Sequence, residues 1–366
     1  MKKLLFLSTR LGGGGAERVL SYILSDFATD KDYQITLILL HSHGNSYLSQ
    51  VPGNINIVNL DLKGRIRYSI FKIIRTIISH RPDICYVGLD KLNIMLALFI
   101  PILNCFGIKT ITRETNVLSR QYNPDNPFVS FAYRFFYNKY TRIITQSDDM
   151  RDDLIKKWGI TASKTILINN PIDIDKVTHL SQLDPSIKLP ANCFNFVAVG
   201  RLSWQKGYDI LIQRIKEIAG GRLPIHITIL GTGELEEELT NAINNSNIKE
   251  YISLAGFQEN PYSIMAQADG IILCSRYEGF PNVLLEANSL GKPILSNLCP
   301  GGINEIIVEG VNGLVCDFEN PTEFQRTLQR FLSSDFNKEE IKRLTANRYS
   351  LSEIMPKYRD VFRRLL

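Results

Sequence analysis

No two of the six cysteines, Cys85, Cys105, Cys193, Cys274, Cys299 and Cys316, form a C-x-x-C pair, and several sit inside apolar runs. A disulfide framework is therefore not expected, and the chain reads as the product of a reducing compartment. An apolar run of the roughly 20 residues that would span a bilayer is also missing. The most apolar stretch, residues 92–108, is broken by Asn93, Pro101 and Asn104 and reads as a buried helix. Met1–Ser8 has too short an apolar run for a signal peptide and lacks a small-residue cleavage site, so it reads as a first β-strand. A large excess of either charge is lacking as well. The formal net charge of +5 fits an anionic substrate or a membrane surface and demands neither. After the glycines at 12–15 there is no Gly-Lys-Ser/Thr, and Glu17 stands where a dinucleotide fingerprint has its third glycine. Both the P-loop and the dinucleotide motif are thereby excluded.

What is present is a repeated strand–loop–helix grammar over 366 residues, a length that favours two domains. Leu4–Leu7, a glycine loop, a helix to about Ala28 and a strand over 34–40 make a βαβ start, which predicts a parallel sheet with outer helices. The chain centres on Ser275–Lys292. An apolar strand, 270–274, runs into a polar loop with Glu278, Gly279 and Phe280. Pro281 suits a first helical position, and Val283, Leu284, Ala287 and Leu290 follow at helical spacing until Gly291. Glu278 lies in the loop and Glu286 in the helix's second turn. N–H groups at a helix start favour anions or sugar oxygens, and carboxylates accept from hydroxyls. The pair suits an anionic, hydroxyl-rich ligand such as a nucleotide sugar, or else two solvated glutamates.

A second loop, Gly200-Arg201-Leu202-Ser203-Trp204-Gln205-Lys206-Gly207, follows a buried-type strand over 195–199 and precedes a helix from about Tyr208. An Arg that forks onto two oxygens and a Lys that adds a point charge make a diphosphate clamp, or two surface cations. The stretch 63–82 carries Lys63, Arg65, Arg67, Lys72, Arg75 and Arg81 with no acidic residue, and isoleucines supply an apolar face. It can lie on an anionic membrane, grip a pyrophosphate-bearing acceptor, or be an ordinary outer helix. Residues 128–142 interleave aromatic and basic side chains, as a lipid-facing patch or a half-core helix does. No RNA-binding motif accompanies them, so no nucleic-acid partner is expected.

Glu278-x7-Glu286, opened by Glu-Gly-Phe-Pro, together with Gly-Arg-Leu…Lys-Gly at 200–207, resembles the retaining glycosyltransferases of family 4. Gly-Gly-Ala-Glu-Arg-Val at 14–19 is similar to the first loop of that family's polysaccharide and lipid-linked oligosaccharide assembly branch. The resemblance spans nearly the whole chain and is densest over 199–315. It implies an α/β, GT-B fold of two Rossmann-like parallel-sheet domains facing across a cleft. Residues 1–172 would form the acceptor side, with a C-terminal helix over about 350–366 crossing back, and 173–349 the nucleotide-sugar side. It implies a hexosyltransferase-type enzyme. Arg201 and Lys206 would neutralise the leaving diphosphate, Glu278 would face the donor sugar and Glu286 would bind the ribose hydroxyls. Gly13, Gly14, Gly15, Gly200, Gly233, Phe257, Gly279, Phe280, Pro281, Asn282 and Leu285 would line the substrate site.

Where many members have a histidine beside the reacting sugar, this chain has Glu114 in Arg-Glu-Thr-Asn. Glu114 would orient or deprotonate the acceptor hydroxyl, or else pair with Arg113. Asp173-x-Asp175 imitates a metal-binding D-x-D, but it follows Asn170-Pro171, which resembles the family's interdomain crossing. No metal or other cofactor is expected, and 178–192 reads as a linker. The resemblance further implies a UDP-sugar donor and a polyprenyl-diphosphate-linked oligosaccharide acceptor. It places the enzyme in the cytoplasm, peripheral on the inner membrane face. The alternatives are a GT-B sugar-nucleotide epimerase and a non-catalytic nucleotide-sugar-binding protein.

Overall fold

Alternate residues of the first strand, Lys2–Ser8 (β1), feed two different cores: Leu4 and Phe6 enter one, Leu5 and Leu7 the other. This is the period of two of a strand buried on both faces. The computed structural model describes residues 1–62, 69–88, 90–219, 224–246 and 248–366. The chain forms two compact units, Met1–Pro171 with Leu351–Leu366, and Ile172–Ser350.

The first unit continues through α1 (Gly15–Phe27), β2 (Tyr33–Leu39), β3 (Asn56–Asn59), α2 (Ile70–His80), β4 (Ile84–Val87), α3 (Asp90–Ala97), α4 (Ile100–Cys105), β5 (Lys109–Arg113), α5 (Pro127–Phe136), β6 (Arg142–Thr145), α6 (Asp148–Lys156) and β7 (Thr165–Leu167). Its strands pair in parallel in the order β3-β2-β1-β4-β5-β6-β7. The second unit holds α7 (Ile174–Ser181), β8 (Phe194–Val199), α8 (Tyr208–Ile218), β9 (Ile225–Leu230), α9 (Glu236–Asn244), β10 (Ile252–Leu254), α10 (Pro261–Met265), β11 (Gly270–Leu273), α11 (Asn282–Ser289), β12 (Ile294–Asn297), α12 (Ile303–Ile306), β13 (Gly313–Cys316), α13 (Pro321–Ser333) and α14 (Lys338–Tyr349). Its parallel order is β10-β9-β8-β11-β12-β13. Each order reverses beside the unit's first strand, between β1 and β4 and between β8 and β11. Such a reversal opens a crevice at the carboxyl ends of the strands.

The last helix, α15 (Leu351–Arg363), belongs to the first unit and covers one sheet face together with α1. Phe362 stacks on Phe6 and meets Phe27 edge-on, and Arg359 forks onto Asp26 with both contacts at 2.6 Å. A fully buried Phe of this kind contributes about 2–3 kcal/mol. The opposite face is covered by α2 to α6, whose inner sides share a single core.

The structure differs from the sequence reading at four boundaries. The apolar stretch 92–108 is two helices, because Pro101 opens α4 and cannot continue α3. Of the basic stretch 63–82, α2 takes residues 70–80 with Ile70, Ile73, Ile74 and Ile77 inward; Lys63, Arg65, Ile66 and Arg67 lie outside the described residues. The expected linker over 178–192 begins inside α7, which Asp173 caps by accepting from the Lys176 N–H at 3.0 Å. Pro281 takes the position just before α11 instead of its first turn, with extended backbone.

Candidate active site

Parallel pairing of β8 with β11 sets two loops side by side at the reversal of the second sheet. The loop after β8 carries Arg201 and Lys206; the loop after β11 carries Ser275 and Glu278. Lys206 Nζ lies 2.6 Å from Glu278 Oε1, and Ser275 Oγ donates to the same oxygen at 2.6 Å. The carboxylate is buried and the ammonium half-buried. The two loops are laced along their backbones as well. Arg276 N–H donates to Gln205 O (2.8 Å), Gln205 Nε2 to Tyr277 O (3.0 Å) and Cys274 Sγ to Lys206 O (3.1 Å). Arg276 forks onto Asp209 and stacks over Trp204. Burial first, and then the neighbouring Cys274 and Glu278, hold the Tyr208 hydroxyl well above its usual range. Burial likewise pushes up the Cys274 thiol, making it a packing group and not a nucleophile.

Glycine is required where these loops touch. Gly207 has φ +67° and its added Cβ would lie 2.1 Å from Cys274 O; at Gly231, φ +147°, the Cβ would lie 1.9 Å from Gly200 O. The loop after β9 is thereby pressed onto the loop after β8, where Leu202 N–H donates to Thr232 O at 2.9 Å. On the other side, Glu278 N–H donates to Pro300 O and Gly302 N–H to Gly279 O, both at 2.9 Å. The loops at four strand ends thus form one fixed rim around the Lys206–Glu278 pair.

The remaining site residues divide by exposure. Arg201 is exposed and makes no ion pair among the described residues, leaving its guanidinium open to a ligand. Phe257 is exposed beyond Gly256, which has φ +68°. Gly200 and Gly233 lie in the rim, and Asn282 opens α11. Glu286 is buried in the second turn of α11. Phe280 and Leu285 belong to the core of this unit, and Phe280 meets Tyr349 edge-on at 5.5 Å. Pro281 is buried as well.

In the first unit, the glycine loop after β1 runs into α1 with Gly14 before the first turn. Gly13 stands in open space, and Gly15 starts the helix. Glu17 folds back so that an added Cβ on Gly14 would meet its carboxylate at 2.3 Å. A negative group thus covers this helix start. Glu114 follows β5 and is buried; Asn93 Nδ2 donates to its Oε1 at 3.3 Å, and Gln146 holds its backbone carbonyl. The Arg113 guanidinium donates to Asn170 Oδ1 at 2.5 Å. Asn93, Gln146 and Ser275 were not predicted as site residues. The signal for Asn93 was a polar residue in an apolar stretch; for Ser275 it was the i, i+3 spacing to Glu278.

Two doubly covered parallel sheets of matching order, with one rim of basic and acidic loops at a strand reversal, define the GT-B class of fold. Residues 13–176 match the glycosyltransferase family 4 pattern, and residues 182–350 match that of the glycosyl transferases group 1. The chain belongs to these glycosyltransferases. An N-acetylgalactosamine-N,N'-diacetylbacillosaminyl-diphospho-undecaprenol 4-alpha-N-acetylgalactosaminyltransferase of Campylobacter jejuni is 26% identical over 378 residues, covering 100% of each chain. An uncharacterised glycosyltransferase of Methanocaldococcus jannaschii is 30% identical over 258 residues, 67% of this chain and 62% of that protein. The crystal structure of Anabaena HepE with UDP and glucose superposes over 100% of both chains with a TM-score of 0.80 at 19% identity.

Proposed function

We propose that this glycosyltransferase moves a sugar from a UDP-linked donor, with retention of anomeric configuration, onto an oligosaccharide growing on a polyprenyl diphosphate. The reaction takes place on the cytoplasmic face of the membrane and uses no metal ion. The observation that carries the reading is the Lys206–Glu278 pair at the β8/β11 reversal. A bare carboxylate there would repel a diphosphate. With Lys206 on it, and Arg201 exposed on the same loop, the rim attracts one. The C. jejuni relative, named for a diphospho-undecaprenol acceptor, supports the lipid-linked acceptor, and the UDP held by HepE supports the donor nucleotide.

In this reading the donor C1–O bond breaks and its electron pair leaves on the diphosphate oxygen. Lys206 and Arg201 stabilise that charge, the preorganised electrostatics that contributes most in many enzymes. The acceptor hydroxyl oxygen bonds to C1 on the same face, and its proton passes to the departing phosphate oxygen. Glu278, held by Ser275, orients the donor sugar; Glu286 receives the ribose hydroxyls; Glu114 orients the acceptor hydroxyl. The test is a panel of nucleotide sugars incubated with lipid-linked acceptor, with and without EDTA. The readouts are released nucleotide and the product's anomeric configuration by NMR. UDP release and a retained product, unaffected by EDTA, are expected. An inverted product, or a donor epimer formed without acceptor, would overturn the reading.

A further inference from the structure

The two helical layers of the first unit face solvent very differently. The α1/α15 layer exposes no large apolar side chain among the described residues. The outer side of the opposite layer exposes Phe71 on α2, Ile102 and Phe106 at α4, and Phe128, Phe131 and Phe135 on α5. Phe128 and Phe71 are 85% and 73% exposed, far beyond the incidental exposure of a lone surface residue. The α5 phenylalanines recur at i, i+3 and i+7, which places them on one stripe. Phe131 and Phe135 stack at 5.5 Å and 6°, so the stripe is ordered.

Charge on this surface is equally one-sided. The segments α2, α4 and α5 contain no Asp or Glu. Lys72, Arg75 and Arg134 are exposed on them, and Lys139 continues the α5 stripe with its ammonium 4.9 Å from the Phe135 centroid. Lys139, Arg142 and Lys164 meet no carboxylate among the described residues. The Lys164 ammonium is held below its usual range, by burial first and then by those two neighbouring cations. Acidic residues of this layer include Asp90 at the start of α3, the exposed Asp125 just before α5, and those of α6, where Asp152 is already paired with Lys156. By contrast α1 carries Glu17 and Asp26, and α15 carries Glu353 and Asp360.

We infer that the outer side of α2, α4 and α5 docks on an anionic lipid bilayer, with the α5 phenylalanines entering the headgroup boundary and the cations meeting lipid phosphates. Aromatic rings on an ordered stripe beside cations that meet no carboxylate among the described residues are what an interfacial surface needs, since apolar insertion and headgroup attraction add. Among the described residues no helix is long and apolar enough to cross a membrane, so this contact lies in the interface plane. The inference rests on the lipid-linked acceptor reading for its purpose and on the surface alone for its geometry. Docking would bring the acceptor's carrier to the enzyme as a two-dimensional search.

The test is co-sedimentation of the full chain with phosphatidylcholine vesicles, with and without roughly a third phosphatidylglycerol. Wild type should sediment with the anionic vesicles. The F128S/F131S/F135S variant should lose at least about tenfold in partition, and K72E/K139E should lose the preference for anionic lipid. Both should keep the wild-type melting temperature and the wild-type rate of UDP-sugar hydrolysis in vesicle-free buffer. Failure of folded wild type to bind, or unchanged binding by the triple variant, would overturn the inference. So would a wild-type dimer by light scattering that the triple variant abolishes, since a second copy would then cover the stripe. The sedimentation step contains no sugar: vesicle binding with no glycosyl transfer in the separate nucleotide-sugar panel would sink the functional reading alone, and transfer there without vesicle binding would sink this one alone.

Discussion

Both sheets reverse their strand order at the same place, yet the two crevices are furnished in opposite ways. At β8/β11 a lysine sits on a buried glutamate, and the surrounding loops are so close that several glycines have no room for a Cβ. At β1/β4 the crevice is lined by Ser8, Glu17, Tyr86 and Gly88; its helix start is covered by a carboxylate, and Gly13 stands open. The second unit thus presents a closely packed rim with an exposed arginine beside a paired lysine, which in the proposed function meets the constant part of the donor, its nucleotide diphosphate. The first unit presents an open loop and one buried carboxylate, Glu114, suited to aligning a hydroxyl. The fold sets where the ligands go, and the loop chemistry decides which ligand goes where.

The comparison can be broken from either side. Lys206→Ala should lower kcat by about 10²–10³, whereas Glu17→Gln in the other crevice should change it far less; equal losses in steady-state assays would erase the distinction. Gly231→Ala forces a Cβ onto the Gly200 carbonyl and should destabilise the second unit by about 1–3 kcal/mol, while Gly13→Ala should leave the denaturation midpoint unchanged. Equal midpoints for the two variants would mean the rim is not rigid. Glu114→Gln should lower kcat roughly tenfold to a hundredfold with little change in donor KM, and a change confined to donor KM would move Glu114 to the wrong substrate.

The smallest expected effect is on pH dependence at the edge of the rim. Burial raises the Asp209 carboxyl, but hydrogen bonds from Arg276 and its charge lower it more, leaving it below the usual carboxylate range. Its folded value therefore lies under its unfolded one. The stabilisation is present above about pH 4 and is lost as pH falls through the folded value. Wild type and Asp209→Asn should differ slightly in urea midpoint at pH 7 and converge in strong acid. A difference that grows on acidification would show the sign to be wrong.

Much of this was legible in the sequence because parallel α/β units write their loops as glycines and charges between apolar strands. The loops at 200–207 and 278–286 stood out for that reason, and so did their likeness to family 4. That Lys206 would rest on Glu278 was not legible, since the two are separated by 72 positions and meet only because β11 inserts beside β8. Phe280 read as a site-lining aromatic, but its burial is set by Tyr349, which no local pattern announces. For Glu114 the sequence left two readings open, an acceptor-facing carboxylate or a partner of Arg113, because it does not show that the Arg113 guanidinium donates to the distant Asn170. The exposed stripe of α5 was ambiguous for a related reason: its buried Tyr133 and exposed Phe131 are equally aromatic, and only packing tells them apart.

The central claim is that the β8/β11 rim holds the donor's diphosphate, and calorimetric titration of UDP into the full chain tests it most directly. Wild type should bind UDP, and R201A/K206A should bind at least about tenfold more weakly while remaining folded by circular dichroism. Unaltered UDP affinity in that folded double variant would contradict the account.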